Sequence, residues 1–188
     1  MTMFRPRRKG GVYVQLPPYA AGLLTNLTRQ LIELLSDGEP LVPTGEDPLE
    51  ELLAFDSPRE TPEDPALRRL LPDAHRSDDE ASAEFRRFTE RTLREGKVHD
   101  ASVVLASLGT IEDAIVDDIE FELDRDEARS WLRCLTDLRL TLAERLGVTA
   151  DDEDFWESLE EGDGRQPVHE IYGWLGYLLE SLLDVVRK

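Results

Sequence analysis

The imidazoles of this chain are His75, His99 and His169, and none has a companion at metal-ligand spacing. His169-Glu170-Ile171-Tyr172-Gly173 begins like the helical zinc-protease signature, but Gly173 stands where a second histidine would bind the metal. A carboxylate-bridged bundle site needs Glu three residues before His, and Pro72, Gly96 and Gln166 occupy those places. Gly162-Asp163-Gly164 ahead of Pro167 follows an acidic loop rather than a strand, so it lacks the setting of a phosphate cradle. Neither a Walker loop nor a nucleophile elbow is written in the chain. The expectation is a protein with no catalytic residue, no metal site and no cofactor.

Cys134 is the lone cysteine, which excludes an intramolecular disulfide and a multi-cysteine zinc site. At about 100° per residue from Trp131 it falls to one side of the stripe Trp131, Leu135 and Leu138, a boundary position. There it either packs as a small apolar group or serves as a redox thiol made acidic by Arg133 or Arg129.

Two charged clusters offer binding chemistry. Asp151, Asp152, Glu153, Asp154, Glu157, Glu160, Glu161 and Asp163 place eight acids in thirteen residues around Phe155 and Trp156. A calcium loop would need glycine where Trp156 stands. The run is either a solvated loop or a seat for a basic protein surface, with Asp151, Asp152 and Asp154 steering and Phe155 and Trp156 anchoring. Arg5, Arg7, Arg8 and Lys9 are of opposite sign. They could touch phosphate as a minor-groove arm does, or pair with the protein's own acids and protect a sheet edge.

The composition favours a protein partner over a nucleic acid. The chain has 188 residues, with 22 Lys and Arg against 41 Asp and Glu, for a formal charge of -19. Such a charge repels phosphate at long range, so any DNA contact is expected to be weak or indirect. No run approaches the roughly 20 apolar residues of a membrane span, and Met1 to Leu16 lacks a signal peptide's apolar core, so a cytoplasmic location is expected.

The elements that must position these groups are mostly helical, within a single domain spanning 1–188. Residues 1–16 read as a β-hairpin, with Val12, Val14 and Leu16 alternating inward and Gly10-Gly11 at the turn. Pro6 would suit only an edge strand. A helix over 17–37 carries Ala20, Leu23, Leu24, Leu27, Leu31, Leu34 and Leu35 on one face. Residues 39–73 hold seven of the eleven prolines and form an acidic wrapping segment, with short helical pieces at Pro48–Phe55 and Pro65–Leu71.

Ser77-Asp78-Asp79-Glu80 is a capping box opening a long helix over 77–109. Its spacing predicts that Ala81, Phe85, Phe88 and Leu93 face inward, with Arg86, Arg87, Arg91 and Arg94 outside. Ile119, Phe121 and Leu123 alternate as a strand over 119–123 that could complete the sheet. A second capping box at Asp124 opens a helix over 125–146, ended by Gly147. The acidic loop at 150–165 leads to a C-terminal helix over 167–187, with Val168, Ile171, Leu175, Leu178, Leu179, Leu182 and Val186 inward. Gly173 and Gly176 cost this helix about 1 kcal/mol each, so close packing or a homodimer seam is expected there, the latter with Trp174 and Tyr177 as contacts. The fold class is mainly α: a helical bundle with a small antiparallel sheet.

Trp131-Leu132-Arg133-Cys134-Leu135-Thr136-Asp137-Leu138-Arg139-Leu140, running on to Arg145-Leu146-Gly147-Val148, is one packing motif. Tyr172-Gly173-Trp174-Leu175 with Leu178-Leu179-Glu180-Ser181-Leu182 is another. With the Phe4-to-Leu16 hairpin, they resemble the actinobacterial oxidative-stress regulator family (AosR-type), largely known as a domain of unknown function. The resemblance implies a cytoplasmic transcription regulator that responds to redox state through a sigma factor of RNA polymerase. An intrachain disulfide switch needs two thiols, which this chain lacks; sensing here would use an intermolecular bond or sulfenic acid at Cys134. The alternatives are a proteolysis or assembly adaptor without DNA contact, or a small-molecule-binding enzyme with a site between the bundle and segment 39–73.

Overall fold

The computed structural model describes residues 3–7, 10–36, 62–73, 79–109, 118–149, 156 and 163–187. Strand β1 (Phe4–Pro6) turns into β2 (Val12–Leu16), with Phe4 opposite Val14. The turn passes through Gly10 at φ +81°, where an added Cβ would lie 2.3 Å from Nε of Arg125. Strand β3 (Ile119–Leu123) pairs antiparallel with the other side of β2, Val12 opposite Leu123 and Leu16 opposite Ile119. The order is therefore β1-β2-β3, which leaves Pro6 on an edge where its missing N–H breaks no central ladder. Phe4, Val12, Val14, Leu16 and Leu123 are buried on the inner face of this sheet.

Five described helices complete the fold. They are α1 (Pro18–Ser36), α2 (Pro65–Leu70), α3 (Asp79–Leu108), α4 (Arg125–Leu146) and α5 (Gln166–Val186). Helix α4 is central, because α1, α2, α3 and α5 all pack against it. Its N-terminus is held by a capping box: the Asp124 carboxylate accepts from the N–H groups of Asp126 and Glu127 at 2.8 and 2.9 Å, and Glu127 accepts from Asp124 N–H at 2.8 Å. Gly147, at φ +69°, ends it. Trp131 joins bundle to sheet, its ring edge-on to Phe4 at 6.2 Å and tilted against Phe121 at 5.6 Å. Helix α2 is capped by Asp64, which accepts from Ala66 N–H at 2.7 Å and also pairs with Arg145 of α4 at 2.6 Å. The helical piece at Pro48–Phe55 and the Ser77 capping box lie outside the described residues.

The first half of α3 is rotated from the expected orientation. Phe85, Phe88 and Leu93 face outward, Phe88 with 67% and Phe85 with 44% of its surface exposed. The inward stripe is Ser82, Arg86, Glu90 and Arg94, and Arg86 and Arg94 are each only 7% exposed. Arg94 Nε donates to Glu90 at 2.8 Å, and its Nη1 donates to the carbonyl of Leu35, near the end of α1, at 2.6 Å. Arg86 pairs with Asp73. The guanidinium of Arg94 thus answers an α1 terminal carbonyl that the helix itself leaves open, at the negative end of its dipole. Apolar-inward patterning fails here because these polar contacts, spaced four residues apart, set the helix rotation. From Ala101 through Val104 to Leu108 the inward stripe is apolar, and the helix crosses Gly96 unbroken. At the far end of α5, Val186 is exposed rather than inward.

This rotation inverts the usual hierarchy of substitutions along one helix. Glu90→Ala should destabilise the chain by about 3–5 kcal/mol, since it takes the carboxylate away from a buried guanidinium. Phe88→Ala should cost less than about 1 kcal/mol, as expected of an exposed site. Urea denaturation of the two variants checks the ranking; a larger loss at Phe88 than at Glu90 would contradict it.

Candidate functional site: a thiol, an outward aromatic face and an arginine cavity

Cys134 lies at the meeting of α1, α3 and α4, fully buried rather than at a boundary, because both α1 and α3 cover that flank of α4. Burial pushes its thiol from the ordinary 9.0 up to about 12, and the nearby Asp137 carboxylate adds to the shift. The Thr28 hydroxyl and the ammonium of Lys97 pull the other way. Neither arginine expected to acidify it does so. Arg133 is engaged with Asp100 through two hydrogen bonds of 2.7 and 3.0 Å, and Arg129 with Asp126 at 2.9 Å. Lys97 reaches Asp137 at 2.6 Å, and burial raises the Asp137 carboxyl above its usual range. In this arrangement the thiol packs as a small apolar group.

The residues expected to contact partners are dispersed. Asp151, Asp152, Asp154 and Phe155 lie outside the described residues, as do Arg8 and Lys9. Trp156 is not a displayed anchor: its indole stacks on His169 at 4.3 Å with 7° between the planes, and the residue is buried. Trp174 is half-buried against the core, whereas Tyr177 is 47% exposed. Arg5 stands exposed on β1. Arg7 pairs with Glu122 of β3 and lies 5.9 Å from the ring centre of Tyr13, so it answers the protein's own acidic surface.

Two groupings were not legible in the residue pattern. One is the outward face of α3, formed by Phe85, Phe88 and Leu93. The other is a cavity of about 290 Å³ where α2 meets α4 and α5, lined by Arg69, Thr136, Arg139, Ala143, Tyr172 and Leu179 among others. Gly176 belongs to this second grouping. A Cβ there would approach Arg139 to 3.2–3.4 Å, so the glycine makes room for a guanidinium that lies 4.7 Å from the Tyr172 ring centre. Gly173 has no neighbour within 4 Å of an added Cβ, so the close packing expected of both glycines holds only for Gly176. The helix-costly glycine was a visible signal; its arginine partner on another helix was not.

A family profile described as a domain of unknown function, DUF2017, matches residues 1–186. The chain belongs to the DUF2017 family. It is 33% identical over 186 residues to proteins of Mycobacterium tuberculosis and Mycobacterium bovis, each named oxidative stress regulator AosR; the match covers 91% of this chain and 80% of theirs. A relative from Mycobacterium leprae is 30% identical over 177 residues, covering 88% of this chain and 78% of its own. No solved structure matches the chain. The resemblance carried by the hairpin and the two helical packing motifs is thereby established as membership, and the mainly α architecture with its small sheet is the fold of this DUF2017 chain. Among the described residues no helix is long and apolar enough to cross a membrane.

The buried thiol has a measurable linkage. Above pH 9 the unfolded chain loses the Cys134 proton while the folded chain keeps it. Its contribution to stability is therefore full below pH 9 and is lost as pH climbs toward 12. Wild type should lose up to about 1.4 kcal/mol per pH unit more than Cys134→Ala in that window. Parallel stability curves for the two proteins in alkaline urea titrations would contradict the burial argument.

Proposed function

We propose that this DUF2017 chain is a non-enzymatic regulator in the oxidative-stress response that acts by docking onto a protein partner, a sigma factor of RNA polymerase being the candidate. The observation that carries the docking reading is the outward face of α3. Phe85, Phe88 and Leu93 hold apolar surface in water while charged side chains occupy the interior positions of the same helix turns. Aromatic side chains on a rigid helix lose little conformational entropy on binding and make strong anchors. The relatives named oxidative stress regulator support the regulatory setting.

Electrostatics supports a protein partner rather than an operator. The formal charge of -19 attracts a basic protein surface and repels phosphate. Arg7, one of the few bases of the N-terminal arm, is already paired with Glu122. Among the described residues the cavity beside α2 is lined by two arginines with no histidine or carboxylate, which supports a regulator over a hydrolase. An assembly or proteolysis adaptor would use the same surface physics with a different partner.

Association of the full chain with purified sigma factors, followed by interferometry, distinguishes these readings. The on-rate should fall at least about tenfold between ~0.05 and ~0.5 M salt. Phe85→Ser/Phe88→Ser should weaken the complex at least about tenfold, with unchanged helicity. Salt-independent association, or an unaffected double variant, contradicts the docking surface. Binding to no sigma factor contradicts the transcription reading and leaves the adaptor.

A further inference from the structure

The cavity between α2, α4 and α5 holds positive charge that no ion pair among the described residues answers. In a chain carrying nearly twice as many acids as bases, Arg69 and Arg139 line one small space, and neither forms an ion pair among the described residues. Arg139 is more constrained than a surface arginine. Its guanidinium is placed by the Tyr172 ring at 4.7 Å and by the absent side chain of Gly176, one turn further along α5. Its Nε is buried with no hydrogen-bond acceptor. That atom packs against Gly176, which fixes the plane of the guanidinium, and the charge of a group with no ion pair among the described residues is what an anion in the cavity would meet. Thr136, also at the wall, donates its hydroxyl to the Leu132 carbonyl of its own helix at 2.7 Å, so the two arginines carry the polar recognition.

The other half of the wall is apolar: Leu140, Ala143 and Leu179. At about 290 Å³ the space sits at the lower end of ligand cavities, roughly 300–1,000 Å³, which suits a molecule smaller than a nucleotide. A fixed guanidinium at one end and aliphatic carbon at the other select an amphiphilic anion rather than a bare ion.

We propose that this cavity binds a small organic anion, its carboxylate or phosphate group held by Arg139 and Arg69 and its apolar part lying on Leu140, Ala143 and Leu179. The site shares no residue with the outward face of α3, so it stands or fails independently of the partner reading. Binding would tie α2 to the α4–α5 pair through one ligand.

The test is a titration of the full-length chain, following the arginine Nε–Hε signals by NMR, with phenyl phosphate, benzoate and inorganic phosphate as probes. The Arg139 signal should shift saturably with phenyl phosphate or benzoate, and whichever binds identifies the head group. Inorganic phosphate should bind at least about tenfold more weakly than phenyl phosphate, because it leaves the apolar wall uncovered. Arg139→Gln and Arg69→Gln should each weaken binding about tenfold. Ala143→Phe, which fills the space and keeps both charges, should abolish it. Arg69 is exposed, so its variant decides the charge contribution if Arg139→Gln fails to fold. No saturable shift with either organic probe overturns the proposal. So does inorganic phosphate binding as tightly as phenyl phosphate, or undiminished binding in folded Arg69→Gln and Ala143→Phe proteins.

Discussion

The rotation of α3 about its own axis is the constraint from which the outward aromatic surface follows. Arg94 ties it to the last turn of α1 through the Leu35 carbonyl, with Glu90 beside it, and Arg86 ties it to Asp73 after α2. Buried charge pairs of this kind add little net stability, because desolvation offsets most of their attraction. Their effect is directional. They oppose neighbouring rotations that would turn Phe85 and Phe88 inward, because such a rotation breaks the contacts of Arg94 with the Leu35 carbonyl and of Arg86 with Asp73.

The same economy of charge recurs through the bundle. Lys97 meets Asp137 and Arg133 meets Asp100, so α3 and α4 are joined by two polar contacts flanking the thiol of Cys134. Burial, with the Asp137 carboxylate beside it, keeps Cys134 protonated and enclosed in the folded chain. Reaction at this sulfur therefore requires α1 or α3 to move away from α4, and any redox response through it would be gated by that opening.

Legibility in the sequence tracked how local the governing interaction was. The hairpin, the third strand and the Asp124 capping box depend on alternation, turn residues and contacts three residues apart, and all stand where the residue pattern places them. So does the stripe Ala128, Trp131, Leu135 and Leu138 on α4, where apolar burial alone sets the face. The first half of α3 departs from its apolar pattern because its orientation is set by Leu35 and Asp73, remote in sequence, which hold two arginines inward. Cys134 was placed at a boundary by one helix's angles, but a second and a third helix close that flank. Gly176 signalled a close approach; only the fold shows that Arg139 makes it. The acidic run around Trp156 points to an anchor for a partner, and the stacking of His169 on its indole depends on a helix that the run itself does not contain.

Hydroxyl-radical footprinting of the free chain and of its partner-bound form reads the orientation of α3 directly. Phe85 and Phe88 should be oxidised far faster than buried Phe4 in the free chain and become protected when the partner binds. Oxidation of Phe88 no faster than that of Phe4 in the free chain would mean that the aromatic face is turned inward, which contradicts the outward orientation of α3.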